Sequence, residues 1–510
     1  MQSKDLLKIS LSRRLLMELS HKKTILENPA VQRLGQFVHE HAKQWKNGVP
    51  NLEQYERELH EHMMDIECEL LGEELSRYDV SVEKIEVEGD IYRPILTSIE
   101  TYLSGGGLVK VERHLYRPAG RGSKSICPME LRAGIIAGYF TPRAARQAAF
   151  VTAQLTPGES EALFVELEGM RPSRASLDRL PKALSAQWEE HRQKWEASLR
   201  EQETVPIEAT ILAISVDGVM APMKAGADKR KAKQSELGKH ASGPSGNQEV
   251  GCGTVVLYNA EGERVQTLRY GRMPERKKAS LQEQLYAEVA SIVAIRPDLV
   301  RVHLADGAKD NWRLMDEIEQ RLSLPSQSCV KILDFYHACE HLKKACDAAW
   351  GEGTPRNKAE FERLKTLLKE AERGVDQVVR SLKYQRDRAR RAKRQRLETE
   401  LTYFRNQHSH MNYAEYLRQG LPIASGVMEA ACKTLVTQRM KRSGMAWAEA
   451  GGQGILTLRS LIQSDRWASA WALLRTGFCK QVVELKTTKI SATAARANTN
   501  ASWSALPLAI

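Results

Sequence analysis

The chain has 510 residues, 42% hydrophobic and 27% charged, which is material for roughly two to four packed domains and excludes a disordered or fibrous class. Its formal net charge of +12 points to an anionic partner, nucleic acid first, with a merely basic soluble surface as the plain alternative. Eight scattered cysteines without a C-x-x-C pair exclude a disulfide framework and a zinc knuckle, and no window approaches the ~18 apolar residues of a membrane span. The start, MQSKDLLKISLSRRLLMELS, has no apolar core with a cleavage site, so the expected location is the cytoplasm, with no membrane partner.

Residues 1–90 read as a helical N-terminal region. NLEQYERELHEHMMDIECELLGEEL carries apolar residues at three- and four-residue spacing with acids between. At residues 95–117 the period changes to two. Ile95, Thr97, Ile99, Thr101 and Leu103 alternate onto one face, Gly105–Gly107 turns the chain, and Val109, Val111 and Leu115 alternate back, which predicts a β-hairpin.

Helical composition resumes at residues 128–182. Thr141-Pro142 and Thr156-Pro157 are helix starts, and Ser173 is positioned to cap a short third helix bearing Arg174 and Arg179. Three short helices with a basic last one fit a helix-turn-helix DNA reader, and they fit a plain three-helix bundle nearly as well. The span 91–205 is therefore read as a β-hairpin plus helical DNA-binding region.

From residue 207 the order is strand, strand, strand, helix, strand, helix, strand. IEATILAISVDGVM is an apolar run reaching Asp217, LVRVHLADGAKDNW a strand ending at Asp306, and SCVKILDFYHA a strand ending near Asp334. Asp217 and Asp306 each close an apolar run and precede glycine. Either alone is an ordinary Asp-Gly turn signal. Two of them, closing what should be neighbouring central strands, place paired carboxylates at the mouth of a cleft. This order matches an RNase H-like sheet, in which the first and fourth strands are adjacent. A third acid would complete an oxygen ligand set suited to two Mg²⁺ ions, with Mn²⁺ as a substitute. Glu429 is the candidate. It lies in ASGVMEAACKTLVTQRM behind Ser425, a possible cap, and Lys433, Arg439, Lys441 and Arg442 follow it as candidate phosphate contacts. An ordinary surface glutamate is the competing reading of Glu429.

Between Asp306 and Glu429 lies a long basic helical stretch. Its KYQRDRARRAKRQR segment, Lys383–Arg396, holds eight basic residues against one acid and includes Arg388, Arg390, Arg391, Lys393 and Arg394. It is either a DNA-facing surface or a solvated basic helix. His337-x-x-Glu340-His341 also has the spacing of a zinc peptidase helix.

At this point the residues resemble a known family. SVDGVMAPM, HLADGAKDNW, ILDFYHACEHL, SGVMEAACK and RMKRSGMAW resemble the catalytic blocks of prokaryotic insertion-sequence transposases of the ISKra group. CPMELRAGIIAGYFTPRAARQAAF and RPSRASLDRLPKAL resemble that group's N-terminal blocks. The resemblance covers roughly residues 90–470. It implies a DDE transposase that cleaves element ends and joins the 3′-hydroxyls to target double-stranded DNA, working as a homo-oligomer on the nucleoid. Asp217, Asp306 and Glu429 take the metal-binding triad roles. The wider Mutator- and hAT-like superfamily carries a Cys-or-Asp, two residues, His signature, which Asp334-Phe335-Tyr336-His337 matches, with His337 near a phosphate oxygen and Asp334 in support. That superfamily also inserts helices before the glutamate.

The expected fold is thus α/β. An RNase H-like catalytic domain spans 206–337 and 421–480, interrupted by a basic helical insertion at 338–420. A mostly helical N-terminal region with a β-hairpin precedes it, and a disordered tail, 481–510, follows. The rival functions are a catalytically inactive transposase-derived DNA-binding protein, an RNase H-like nuclease that cuts without joining, and, remotely, the zinc peptidase.

Overall fold

The computed structural model describes residues 28–46, 48–118, 124–224, 246–322 and 329–485. It divides into two compact units, Met1–Thr141 with Phe478–Ile510, and Pro142–Gly477. Residues 1–27 and most of the tail expected to be disordered lie outside the described residues.

In the first unit, α1 (Pro29–Gln44) and α2 (Leu52–Arg77) start behind Asn28 and Asn51, whose side chains each accept two backbone amides. A sheet ordered β3-β2-β1-β9 follows, built from β1 (Ile85–Val87), β2 (Asp90–Leu103), β3 (Leu108–Pro118) and β9 (Val483–Glu484). The expected hairpin is β2–β3. Val109 and Val111 are buried with Leu75 of α2 and with Met129 of α3 (Pro128–Ala133). The Ile95–Leu103 alternation behaves differently: Ile95 is 41% and Ile99 72% exposed. A bulge between Pro94 and Leu96 shifts the register, and burial on β2 is confined to its hairpin end at Tyr102 and Leu103.

The second unit opens with α4 (Pro142–Gln154), α5 (Pro157–Glu166) and α6 (Arg174–Gln202). Thr156 and Glu159 form the reciprocal capping box that starts α5, and the Ser173 hydroxyl caps α6 at the Ser176 amide. The third helix of the predicted trio is not short. It runs for 29 residues because a second apolar stripe, Leu184, Trp188, Trp195 and Leu199, continues the first at helical spacing and is buried throughout. These helices belong to the same unit as the sheet, so the span read as one region, 91–205, is divided at Thr141.

The sheet is mixed, ordered β6-β5-β4-β7-β8, with β4 (Ile211–Pro222), β5 (Asn247–Tyr258), β6 (Arg264–Arg272), β7 (Val300–Ala305) and β8 (Cys329–Leu333). β4–β5 and β5–β6 pair antiparallel, β4–β7 and β7–β8 parallel. Side chains alternate along its central strand β4. Leu212, Ile214 and Val216 pack with α7 (Ala279–Ile295) and α8 (Lys309–Leu322) on one face. On the other face, Ile211, Ala213, Val302 and Leu304 share a core with the helices before Glu429: α9 (Phe335–Trp350), α10 (Pro355–Glu370), α11 (Gly374–Asp387), α12 (Arg391–Asn406) and α13 (Tyr413–Arg418). The expected helical insertion is therefore a layer of the sheet's own core. The chain then forms α14 (Gly426–Ala431), α15 (Glu449–Gln463) and α16 (Trp467–Phe478). Among the described residues no helix is long and apolar enough to cross a membrane.

The long α6 and α15 touch at a glycine. A Cβ at Gly454 would lie 2.9 Å from the Pro181 carbonyl oxygen, a backbone atom that cannot step aside. Gly451, one turn earlier, would meet only the flexible end of Lys182 at 3.5 Å. Gly454→Ala is therefore expected to lower unfolding stability by about 1–3 kcal/mol. Gly451→Ala should be neutral or stabilise by up to about 1 kcal/mol through helix propensity. Denaturant unfolding of the two variants checks the contrast, and equal effects would contradict this packing.

Candidate active site

The register of the parallel pair places the first two carboxylates. β4 and β7 are joined from Ile211↔Val300 to Ile214↔His303. Three residues further along come Asp217, still on β4, and Asp306, one residue past the end of β7, near enough for the Asp306 charge to act on Asp217. Alternation puts both on the face of Ile211, Ala213, Val302 and Leu304. Asp217 does not end its strand, as its Asp-Gly context predicted. β4 continues to Pro222 because β5 keeps pairing with it, Asp217 opposite Cys252. What ends before Asp217 is the partnership with β7, and Asp217 is left half-buried there. Gly218 leaves the room that Glu249 fills: a Cβ there would collide with the Glu249 carboxylate.

Burial holds the Asp217 carboxyl above its usual range. An amide bond from Gly218 (2.7 Å) opposes this, and the neighbouring Asp306 charge adds to it. Asp306 accepts from the Ala308 amide (3.0 Å) and from Asn311 Nδ2 (3.4 Å) at the start of α8. Asn311 Oδ1 in turn accepts from Lys278 Nζ (3.0 Å), which is 2.9 Å from Glu249. Lys278 is the cation that favours ionised Asp217. It and Lys277 both have positive φ, 53° and 57°, a conformation that non-glycine residues adopt only when the surroundings fix it. Sequence reading missed Lys278 and Asn311. The available signal was the Arg276–Lys278 run directly after a strand.

Glu429 sits on α14, exposed, with Met428 and Ala431 buried beside it. Three residues on, hence on the same side of the helix, Cys432 Sγ lies 3.7 Å from Asp217 Oδ2. Cys252 and burial hold the Cys432 thiol protonated, so it donates to the carboxylate. Met428, Cys432 and Leu435 pack on Val250 and Cys252 of β5 and Ala221 of β4. The Glu429 helix therefore lies across the sheet face that carries Asp217. Ser425 does not cap it with its side chain, as the sequence suggested. The amide of Ser425 donates instead to Asp334 Oδ2, while Asp334 Oδ1 accepts from the His337 amide at 2.7 Å. Buried Asp334 thus joins the start of α9 to the start of α14. Its contact is with backbone, and its role is to position the helix bearing Glu429.

Past Cys432 the helix widens into a π-turn, Cys432–Thr437. Such turns free backbone carbonyls. Here buried Arg459 takes those of Thr434 and Leu435, with Nε 3.1 Å from each.

His337 is partly exposed and lies 3.7 Å from Glu340. His341 is already engaged: Nδ1 is 2.6 Å from Glu400, and its ring stacks on Tyr403 at 3.6 Å. Tyr403 donates to the Asp306 carbonyl at 3.4 Å. His341 therefore ties α9 to α12, and Tyr403 ties α12 to the Asp306 turn, structural tasks that need no metal. Among the described residues the one group of three His, Cys, Asp or Glu side chains with ligand atoms all within 4.8 Å is His303, Glu319 and Cys329, on the opposite face. Glu319 there is held by Arg301 at 2.7 Å, and burial lowers the His303 pKa to about 4, so the group is an ion pair beside a neutral imidazole. The carboxylates of Asp217, Asp306 and Glu429 are not all within that span.

Of the candidate DNA contacts, Arg174, Arg179, Arg388, Arg390, Arg391, Lys393, Arg394, Lys433 and Lys441 are exposed. Arg442 is paired with Glu159 at 2.6 Å. Arg439 is 2% exposed, because the apolar side of the helix after Glu429 continues through it into the core. It is no open surface contact.

No family model and no curated protein matches the chain. Among solved structures it is similar to one titled Drosophila P element transposase strand transfer complex, at 10% identity and a TM-score of 0.24, covering 67% of this chain and 82% of that one. A likeness at that level carries no weight beside the geometry above.

The raised pKa of Asp217 has a consequence for stability. Its neutral form is favoured in the fold, so its stabilising contribution is present below the unfolded carboxylate pKa of about 4 and is lost as pH rises through the higher folded value. At pH 7 the ionised side chain is a net cost. In chelator-treated protein, Asp217→Asn should raise Tm at pH 7, and the gain should vanish as pH falls below about 4. Calorimetry across that range checks it; a lower Tm for the variant at pH 7 would contradict the assignment.

Proposed function

We propose that the chain is a DDE-type DNA transposase with an RNase H-like catalytic domain. In this reading it cleaves the ends of an insertion sequence and joins the 3′-hydroxyls to target DNA. The observation that carries the proposal is that Asp217, on β4, and Asp306, one residue past its parallel neighbour β7, lie on the same face, with the helix that bears Glu429 packed over Asp217. The strand order, with the first strand central and the second antiparallel beside it, is the order expected for that fold. The resemblance to ISKra-group transposases rests on its motifs alone and supplies the joining step; a nuclease that only cuts would need the same carboxylates.

The residues present suit a pair of Mg²⁺ ions. Asp217 and Asp306 repel one another, and exposed Glu429 stands on the helix packed over the Asp217 face, so the three would supply oxygen donors of incompletely matched charge to ions that draw them together. When bound, two such ions activate the attacking hydroxyl and stabilise the leaving oxygen of an in-line displacement. The protein's own contribution is geometric. Asn311 and the Ala308 amide orient Asp306, the Cys432 thiol and Gly218 amide orient Asp217, and Asp334 fixes the first turn of α14. His337 stands at the same junction, available to a phosphate oxygen. The exposed run Arg388–Arg394 has no carboxylate within 4.0 Å of Arg388, Arg390, Arg391, Lys393 or Arg394 among the described residues, which supports a backbone-binding surface.

Purified protein with Mg²⁺ or Mn²⁺ and DNA spanning the element's ends tests this. Wild type should give both cleaved ends and joined products. Asp217→Asn, Asp306→Asn and Glu429→Gln should each lower both by about a thousandfold or more, since each removes a ligand to the ions that carry the chemistry. Cleavage without joining would favour the nuclease. Full activity in the Asp217 and Asp306 variants would overturn the proposal.

A further inference from the structure

The second unit holds a cleft of about 690 Å³ that the carboxylate site does not use. Arg174 and Lys182 of α6, Lys224 two residues past β4, and Arg439 line it, with Asp178 the one acid on its wall. That acid is already taken, since Asp178 lies 2.5 Å from Lys182. Among the described residues neither the Arg174 guanidinium nor the Lys224 ammonium makes an ion pair within 4.0 Å, although the Arg174 backbone amide donates to Glu161 at 3.0 Å. Arg439 is more unusual. It is 2% exposed, yet its only hydrogen bonds among the described residues are two at 3.4 Å to the Thr152 carbonyl. Its guanidinium lies 5.2 Å from the Trp447 ring centre. Burial lowers its pKa to about 10, the Arg459 and Arg442 charges push the same way, and the smallest influence, the Glu159 carboxylate already held by Arg442, opposes them. A buried cation without an anionic partner is costly, and here it faces a solvent-accessible cleft lined by three more cations.

The cleft also has a fixed relation to the carboxylates. Met223 bridges to Trp447, and Lys224 donates its amide to the Trp447 carbonyl, so β4 leads from Asp217 to the cleft floor. The seven residues from Asp217 to Lys224, β4 as far as Pro222 and the Met223 bridge beyond it, span at most about 23 Å. At about 3.4 Å per nucleotide, that is about seven nucleotides of a DNA strand.

We propose that this cleft seats the phosphodiester backbone of a DNA strand about seven nucleotides from the reacting position, with Arg439 as its buried anchor and Arg174 and Lys224 as its rim. The proposal rests on the reading of the chain as a DNA-processing protein. It adds a second point of hold, separate from the basic run on α11 and α12.

The test uses the full chain and a labelled DNA duplex, with anisotropy measured from about 50 to 200 mM NaCl. Each phosphate contact contributes close to one unit to the slope of log Kd against log salt. Arg174→Gln with Lys224→Gln, both exposed and safe for folding, should reduce that slope by about two and weaken binding most at low salt. Arg313→Gln with Arg373→Gln, equal in charge but remote in sequence and element, is the control and should change it little. An unchanged slope in the cleft variant, an equal drop in the control, or no DNA binding by wild type would overturn the proposal. The cleavage assay separates it from the functional reading. Metal-dependent cleavage with an unchanged slope sinks the cleft and leaves the transposase. A reduced slope without any cleavage supports the cleft and sinks the enzyme.

Discussion

The parallel pairing of β4 with β7 is the constraint on which the site depends. Its register, which ends at Ile214↔His303, puts Asp217 and Asp306 three residues on and on the same face. A slip of one residue would send one of them to the α7–α8 side, because side chains alternate along a strand. The flanking apolar residues prevent that slip. Leu212, Ile214 and Val216 must meet α7 and α8, while Ile211, Ala213, Val302 and Leu304 must meet the helices on the other face. Ordinary core packing thus holds two like charges together at the point where β4 outlives its partner.

The third carboxylate needs different support, since it lies on a six-residue helix with little stability of its own. Asp334 fixes the entry to α14 and Arg459 fixes the widened turn that follows it. Both are buried charged groups satisfied by backbone, so loss of either leaves unpartnered polar atoms in the core. Asp334 also starts α9, the first helix of the layer before Glu429. A single carboxylate therefore links two segments separated by about ninety residues of chain, |i−j| being 91 for its bond to Ser425. His341 and Tyr403 make a second link, from α9 through α12 to the Asp306 turn.

Much of this was legible in the sequence. Strand and helix order from 207 to 333 follows from apolar runs broken by turn residues, and the two Asp-Gly sites stood out because charge is rare at the end of a buried run. The reading failed where the deciding contact is distant. Asp217 looked like a strand end because its local signal is a turn; β5, which keeps the strand going, cannot be seen from five residues. Arg439 looked like a surface cation because charge implies exposure; its burial depends on α4 and α15. Ser425 looked like a cap, and Asp334 does that work from across the fold. The α6 error was of length, since a second apolar stripe follows the first after Pro181. Lys278, Asn311 and Cys432 carry no motif, and only their convergence on the two aspartates marks them.

The central claim is that Asp217, Asp306 and Glu429 bind metal as one set. The most direct measurement is Mn²⁺ titration of the full chain followed by electron paramagnetic resonance. The account predicts two ions per chain with the broadened, coupled signal of neighbouring Mn²⁺, reduced to one weak ion or none in Asp217→Asn and in Asp306→Asn. Binding of the same stoichiometry and strength in both variants would contradict it.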